Sequence, residues 1–166
     1  MRAPRDPVAA GPGQESVWDY PRPPRIKASS RRVVVVLGGV VVADTTRASR
    51  VLETSHPPSW YLPRDAFLAG ALEPGEGTSY CEFKGTARYL DVVGGDVRAR
   101  GAAWTYPMPT PDFESLLDHV SLYPGRMDRC EIDGELVVAQ EGGFYGGWIT
   151  SDVVGPFKGA PGTWGW

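Results

Sequence analysis

The sequence predicts a mainly β protein built as one domain, and three features support that prediction. Short runs of β-branched residues recur along the chain, beginning with residues 33–43. Glycine-containing pairs interrupt these runs at 38–39, 94–95 and 133–134, as tight hairpin turns require. A chain of 166 residues buries one substantial core, whereas two separate domains of half that length would each be marginally stable.

The N-terminal residues differ in composition from the rest of the chain. We expect residues 1–14 to form a flexible segment and residues 15–32 to form a proline-rich arm, because proline and basic residues favour an extended, solvated chain. Trp18 and Tyr20 lie within the arm, and two large aromatic side chains in a polar segment usually dock on a surface. The arm is therefore expected to pack on a domain formed by residues 33–166.

Strand signals recur through that domain. The run 33–43 predicts a hairpin that turns at its glycine pair, and 50–53 and 59–62 predict extended segments on each side of a rigid His-Pro-Pro corner. An antiparallel meander follows. The further predicted strands are 78–83, 87–93, 97–106, 120–123, 129–133 and 135–140.

One or two short helices complete the predicted architecture. Apolar residues fall at helical spacing within 63–72, and an acidic residue lies in the first turn. One or two further helical turns are expected over 111–118, where Thr110 suits the N-cap and Pro111 the first helical position.

Charge and hydropathy exclude several classes of protein. The chain has 17 Lys and Arg against 20 Asp and Glu, so no excess of cations is available to neutralise nucleic acid. The longest apolar run is interrupted by two glycines and is far shorter than the roughly 20 residues that cross a bilayer. The first residues contain no apolar stretch of the kind found in secretory signals, so we expect a cytoplasmic location.

The supply of metal ligands is small. The chain has two cysteines, Cys81 and Cys130, and two histidines, and neither cysteine belongs to a CxxC pair. A closed zinc site of four Cys and His ligands would need all four of these residues. We therefore expect no metal and no cofactor, and reduced thiols in the cytosol.

The segment 53–58 concentrates reactive side chains in one loop. Glu53, two hydroxyl residues and His56 occupy successive positions before a proline pair. Glu53 and His56 are candidates for moving protons, and His56 is also a candidate ligand contact. In extended chain Glu53 and His56 would face opposite ways. The alternative is a structural histidine that caps the turn.

Cys81 and Lys84 form a second candidate site. A lysine beside the thiol would lower the thiol pKa and make Cys81 a usable nucleophile, or would allow thiol redox chemistry. Strand alternation places Lys84 on the opposite face, however, and a buried cysteine that packs as a small apolar residue is the alternative. Lys84 is also a candidate to steady an anionic group on a ligand.

Aromatic and glycine residues suggest a shaped surface. Each glycine in 142–150 costs about 0.5–1 kcal/mol relative to alanine, so the glycines need a reason such as positive φ or the close approach of a ligand. We expect some of the aromatic side chains to line a pocket and the others to fill the core. The predicted ligand-binding residues are Tyr61, Lys84, Trp104, Tyr106, Tyr145 and Trp148.

A short internal similarity is also present. Phe83-Lys84-Gly85 recurs as Phe157-Lys158-Gly159. The spacing is too long for a solenoid repeat, and we attribute the similarity to chance.

Several motifs, taken in order, resemble one family. They are ESVWDYPRPP at 15–24, ADTTRA at 43–48, VLETSHPP at 51–58, CEFKG at 81–85, AWTYP at 103–107, FYGGW at 144–148 and GPFKG at 155–159. The chain resembles the bacterial and fungal family known as domain of unknown function 427. The resemblance extends over nearly the whole chain from Glu15 onward.

The resemblance implies a β-tent fold, in which two antiparallel sheets meet at an angle, similar to methionine-R-sulfoxide reductases and the drug-binding domain of cereblon. It also suggests that Trp60, Trp104 and Trp148 form an aromatic cage like the one that binds cyclic imides in cereblon-type tents. A nucleotidyltransferase label is attached to the family, but the chain has no GS motif with spaced carboxylates to hold the metal ions of that chemistry.

Two hypotheses for function follow from these features. The first is a small-molecule-binding domain with an aromatic and polar pocket, with or without catalysis. The second is a protein interaction or self-association module, in which the arm or an aromatic face docks a partner or a second copy in a homodimer. A concave pocket favours the first hypothesis, and a flat apolar patch of more than about 400 Å² favours the second.

Overall fold

A computed structural model describes residues 6–166, and this part of the chain is mainly β. The strands are β1 (Glu15–Ser16), β2 (Arg25–Ser29), β3 (Val33–Leu37), β4 (Val40–Thr45), β5 (Ala48–Leu52), β6 (Ser59–Pro63), β7 (Leu72–Cys81), β8 (Gly85–Gly94), β9 (Val97–Thr105), β10 (His119–Leu122), β11 (Arg129–Ile132), β12 (Glu135–Leu136), β13 (Val138–Ala139), β14 (Trp148–Ile149) and β15 (Val153–Val154). Short 3-10 helices occupy Val17–Asp19, Arg64–Ala66, Pro111–Leu116 and Pro124–Arg126. The predicted mainly β class with a few short helices is confirmed.

Two antiparallel sheets dominate the architecture. The larger has seven strands in the order β2-β5-β6-β10-β9-β8-β7, and the smaller has four in the order β12-β11-β3-β4. Two short ribbons add to them, a parallel pair of β1 with β15 and an antiparallel pair of β13 with β14. None of the helices in residues 6–166 has the length and apolar character needed to traverse a bilayer.

The hairpin turns follow the glycine signals closely. Gly38-Gly39 joins β3 to β4 and Asp133-Gly134 joins β11 to β12, and all four residues have positive φ, as type I′ turns require. The third turn lies one residue later than predicted. Strand β8 continues through Gly94, and Gly95-Asp96 forms the turn to β9.

The helix predicted over 63–72 is wrong. Only Arg64–Ala66 forms a single 3-10 turn, and the chain then becomes extended. Phe67 forms an antiparallel bridge with Ala43, and the Leu68 N–H donates to the Val42 carbonyl. Backbone pairing along the edge of β4 therefore outweighs the helical spacing of the apolar side chains.

The second helical prediction is closer to the structure. Pro111–Leu116 forms a kinked 3-10 segment with Thr110 at its N-cap position. The Thr110 hydroxyl does not cap this helix. It donates instead to the Phe83 carbonyl and so ties the segment to the turn between β7 and β8.

The N-terminal arm contributes directly to the sheets. Its strand β2 pairs with β5 over five residue pairs at the edge of the larger sheet. Val17 and Tyr20 are buried with Leu52 and Val153 in a small separate cluster. The first five residues of the segment predicted to be flexible lie outside the described residues.

Strand alternation gives the larger sheet two different apolar faces. In β6, Trp60 and Leu62 point into the main core, whereas Tyr61 packs in a second cluster on the opposite face. In β9 the neighbouring pair Ala103 and Trp104 divides in the same way. The main core is thus aliphatic with two tryptophans, and the second cluster is rich in tyrosine.

The hairpin turns of the two sheets touch at their glycines. A Cβ atom at Gly94 would overlap the carbonyl oxygen of Leu37, and one at Gly38 would overlap the carbonyl oxygen of Gly94. Backbone therefore packs directly against backbone where β8 crosses β3. No residue larger than glycine fits at Gly94 without moving one sheet relative to the other.

We expect Gly94→Ala to lower the free energy of unfolding by about 3 kcal/mol, because overpacking against fixed backbone cannot relax by rotation of a side chain. Gly143→Ala is the matched control, since nothing lies within 4 Å of a Cβ placed there. Urea unfolding of the two variants measures the difference. Equal stabilities would show that the sheets do not meet at these turns.

Candidate functional site

A cavity of about 280 Å³ opens on the tyrosine-rich face of the larger sheet. Side chains from β6, β7, β8 and β9 line it, together with the loop after β5, the loop between β13 and β14, and the C-terminal segment. Its lining residues are Val51, Glu53, His56, Pro57, Ser59, Tyr61, Ser79, Tyr80, Cys81, Lys84, Tyr89, Trp104, Tyr106, Tyr123, Gln140, Phe144, Tyr145, Gly146 and Lys158.

Eight of the nine predicted site residues line this cavity. They are Glu53, His56, Tyr61, Cys81, Lys84, Trp104, Tyr106 and Tyr145. The ninth, Trp148, is fully buried in the main core, where its Nε1 donates to the Leu122 carbonyl at 3.2 Å. Trp60 also lies in that core, so the three tryptophans of the suggested cage do not share one site.

The glycine pair before Trp148 explains why Tyr145 and Trp148 separate. A Cβ at Gly146 would overlap the Trp104 ring, and one at Gly147 would lie 2.5 Å from Pro57 Cγ. Because these glycines have no side chain, the backbone packs directly against Trp104 and Pro57 and then continues into the main core. Tyr145 therefore stays at the cavity while Trp148 enters the core.

A turn brings Glu53 and His56 together. The His56 N–H donates to the Glu53 carbonyl at 3.1 Å, and Ser55 has φ of 73° at the third position of the turn. The alternation expected for extended chain is therefore wrong here. The side chains point the same way, with His56 Nε2 at 3.7 Å from Glu53 Oε2.

The buried Gln140 amide fixes the orientation of His56. Gln140 Oε1 accepts a hydrogen bond from the Gly147 N–H at 3.0 Å, which places the amide NH₂ group on the other side. That NH₂ group donates to the Lys158 carbonyl at 2.7 Å and lies 3.1 Å from His56 Nδ1. Since the amide nitrogen can only donate, Nδ1 must accept and the ring proton must sit on Nε2.

His56 is consequently a neutral imidazole whose Nε2–H faces the cavity. Burial lowers its pKa to about 3, and the positive charges of Lys158, Arg22 and Lys84 act in the same direction. Protonation of Nδ1 would also break the bond from Gln140. The Glu53 contact is therefore not an ion pair, and at 3.7 Å it is longer than a hydrogen bond.

Two lysines approach the cavity from different parts of the chain. Lys84 lies in the three-residue turn between β7 and β8, where strand alternation no longer applies, so the prediction that it faces away from Cys81 is wrong. Its Nζ lies 6.0 Å from the Tyr106 ring centroid. Lys158 Nζ lies 5.5 Å from the Tyr145 ring centroid.

The two cysteines occupy different environments. Cys81 is partly exposed and lines the cavity, as Lys84 does. Cys130 is buried in the main core, and that burial raises the pKa of its thiol. Only Cys81 is therefore placed to meet a ligand.

Tyrosine hydroxyls complete the polar lining. Trp104 Nε1 donates to the Tyr61 hydroxyl at 3.1 Å, and the Tyr89 hydroxyl donates to Ser79 Oγ at 3.1 Å. Burial raises the pKa values of Tyr61 and Tyr106. These groups are therefore neutral phenols at physiological pH.

A family model matches the chain over residues 25–133, and its description is a domain of unknown function, number 427. The match covers well over half of the sequence. The chain belongs to the domain of unknown function 427 family. No protein with a curated description matches the chain.

Within this member of the family, the cavity combines matched and unmatched segments. The matched part contains Glu53, His56, Cys81, Lys84, Tyr61 and Tyr106. Gln140, Tyr145 and Lys158 lie beyond it. Residues 6–166 contain no group of three or more His, Cys, Asp and Glu side chains arranged around a common point for a metal ion.

Sequence reasoning missed two central residues of the site. Lys158 had a signal, because its Phe-Lys-Gly motif repeats that of Lys84, and the structure brings both lysines to one cavity. Gln140 had none, because a single glutamine after a short strand is unremarkable in sequence. Its role depends on partners 84, 18 and 7 residues away.

The depressed pKa of His56 links stability to pH. Between pH 7 and pH 5 the unfolded chain gains a proton at His56, with its ordinary pKa of 6.5, while the folded protein does not. The free energy of unfolding therefore falls as the pH falls. Over this range we expect the wild type to lose about 2 kcal/mol more than His56→Gln. Urea unfolding at both pH values measures this, and parallel losses would contradict a neutral His56.

Proposed function

We propose that the cavity binds a small organic anion with a flat, unsaturated body, and that Lys84 and Lys158 hold its anionic group. The observation that carries this proposal is the convergence of two of the chain's three lysines on one aromatic-lined cavity. The third lysine, Lys27, is exposed on β2 and is not among the lining residues.

The charges in the cavity favour an anionic ligand. Neither cavity lysine forms an ion pair within 4.0 Å in residues 6–166, and both are half-buried. The one lining carboxylate, Glu53, is paired with Arg22 at 3.4 Å. Lys158 Nζ donates one long hydrogen bond, at 3.4 Å, to the Trp166 carbonyl oxygen. Because a half-buried cation without a counter-ion is costly, an anion that enters the cavity gains attraction from both lysines.

The walls favour a flat ligand. Tyr145 packs edge-on against His56 at 4.8 Å between ring centroids, and the rings of Tyr61 and Tyr106 lie 6.3 Å apart. Tyrosine faces bind planar π systems, and their hydroxyls serve polar substituents at the edge. A volume of about 280 Å³ matches a compact molecule such as an aromatic acid.

A second candidate function rests on the rim of the cavity. Tyr80 and Phe144 line the mouth with 77% and 65% of their surfaces exposed, and Trp164, which packs on Tyr145, is 71% exposed. Exposed aromatic side chains are typical of protein contacts. A partner segment or a second copy that covers the mouth is the interaction-module alternative.

Aromatic acids test the first proposal directly. We expect benzoate, phenyl phosphate or phenylpyruvate to bind in isothermal titration calorimetry, and neutral benzamide to bind at least about 10-fold more weakly because it cannot use the charge of the lysines. Lys84→Met and Lys158→Met should each weaken anion binding about 10-fold or more. Methionine keeps the length of the side chain and removes only the charge.

Lys27→Met is the matched control and should bind like the wild type. The phosphate and carboxylate probes distinguish the two kinds of anionic group. Anion affinities that are unchanged in both cavity variants would contradict the proposal. Concentration-dependent dimerisation that is lost in Phe144→Ser, with no binding of any acid, would favour the interaction module.

A further inference from the structure

We infer that Glu53 and His56 form an acid–base pair that transfers a proton at the carbon next to a carbonyl group of the bound anion. The inference rests on the proposed function, because the lysines must hold the anion beside this pair. The substrate class is a 2-oxo acid or a related carbonyl compound with an ionisable C–H bond.

Glu53 and His56 lie side by side at the cavity. Glu53 Oε2 and His56 Nε2 are 3.7 Å apart, and both residues line the cavity. No hydrogen-bond partner for His56 Nε2 is present within residues 6–166, so its N–H is available to a ligand. Two groups at this separation can reach a carbon and the oxygen of the adjacent carbonyl at the same time.

The protonation state of His56 decides which of the two groups is the base. The bond from Gln140 leaves an N–H donor on Nε2, so His56 cannot act as a base through that atom. A neutral imidazole that donates to a carbonyl oxygen stabilises the enolate that forms there, and a neighbouring carboxylate takes the proton. The structure therefore gives the role of base to Glu53 and the role of hydrogen-bond donor to His56.

The step balances without an oxidant or a metal. Glu53 Oε2 takes the proton from the carbon next to the carbonyl, and the C–H electron pair becomes the new C=C bond. The carbonyl π electrons move onto the oxygen, which accepts the hydrogen bond from His56 Nε2–H. The protonated Glu53 then returns a proton to the carbon or exchanges it with solvent, which gives keto–enol interconversion and hydrogen exchange.

The surrounding charges are compatible with this step. Arg22 approaches Glu53 at 3.4 Å from the N-terminal arm, and Lys84 and Lys158 line the same cavity. The lysines stabilise the negative charge that develops on the enolate. Gln140 is a positioning residue, because it acts only by holding His56 in the tautomer with Nε2–H.

Hydrogen exchange of phenylpyruvate tests the inference. In D₂O, ¹H NMR measures the loss of the C3 proton signal, and we expect the full-length protein to accelerate this loss above the rate in buffer. Glu53→Gln should lower the acceleration by about 100-fold or more, since general base catalysis contributes roughly 10²–10⁴. Glu76→Gln, at an exposed glutamate outside the cavity, should exchange like the wild type.

His56 has its own pair of variants. His56→Gln should reduce the exchange rate. His119→Gln should not, because it changes the chain's second histidine, which lies on β10. Thermal melting of each variant verifies folding, and Glu53→Asp replaces Glu53→Gln if the latter does not fold. Glu53→Asp retains a carboxylate and should keep part of the acceleration.

The outcomes separate this inference from the proposed function. Calorimetric binding of phenylpyruvate with no accelerated exchange would overturn the proton-transfer role and leave the anion site intact. Full exchange in Glu53→Gln would also overturn it. If phenylpyruvate does not bind, the inference fails, and if benzoate and phenyl phosphate do not bind either, the proposed function fails as well.

Discussion

The shape of the cavity depends on the hydrogen bonds of the buried Gln140 amide. Its oxygen accepts from the Gly147 backbone, and its NH₂ group donates to the Lys158 carbonyl and to His56 Nδ1. The loop at His56, the Gly147 backbone and the C-terminal segment at Lys158 are thus held around one side chain. All three bonds form together in only one orientation of the amide, because its oxygen must meet a backbone donor and its NH₂ group must meet two acceptors.

The two faces of the seven-stranded sheet have different roles: one packs in the main core, and the other lines the cavity. Alternation along β6 and β9 sends Trp60, Leu62 and Ala103 into the main core and leaves Tyr61 and Trp104 on the other face. The aliphatic side is closed by the four-stranded sheet and provides most of the apolar burial. The tyrosine side is covered by loops, the C-terminal segment and the 3-10 segment Pro111–Leu116, so it can hold a polar cavity without weakening the core.

The sequence was informative wherever local rules decide the structure. The glycine turns at 38–39 and 133–134, the β-branched strands and the concentration of site residues in 53–61 follow from spacing and residue type alone. Trp148 could not be placed, because the direction of its side chain depends on how Gly147 packs against Pro57. The tautomer of His56 likewise depends on Gln140, 84 residues away, and no local pattern encodes it.

The state of His56 is the central claim, because the hydrogen-bond network, the charge of the cavity and the roles of its residues all meet there. Nitrogen-15 chemical shifts of the labelled protein, assigned with His119→Gln, measure the tautomer of His56 directly. We expect a non-protonated Nδ1 and a protonated Nε2 at every pH from 5 to 8. Protons on both nitrogens at pH 6, or a proton on Nδ1 alone, would contradict the account.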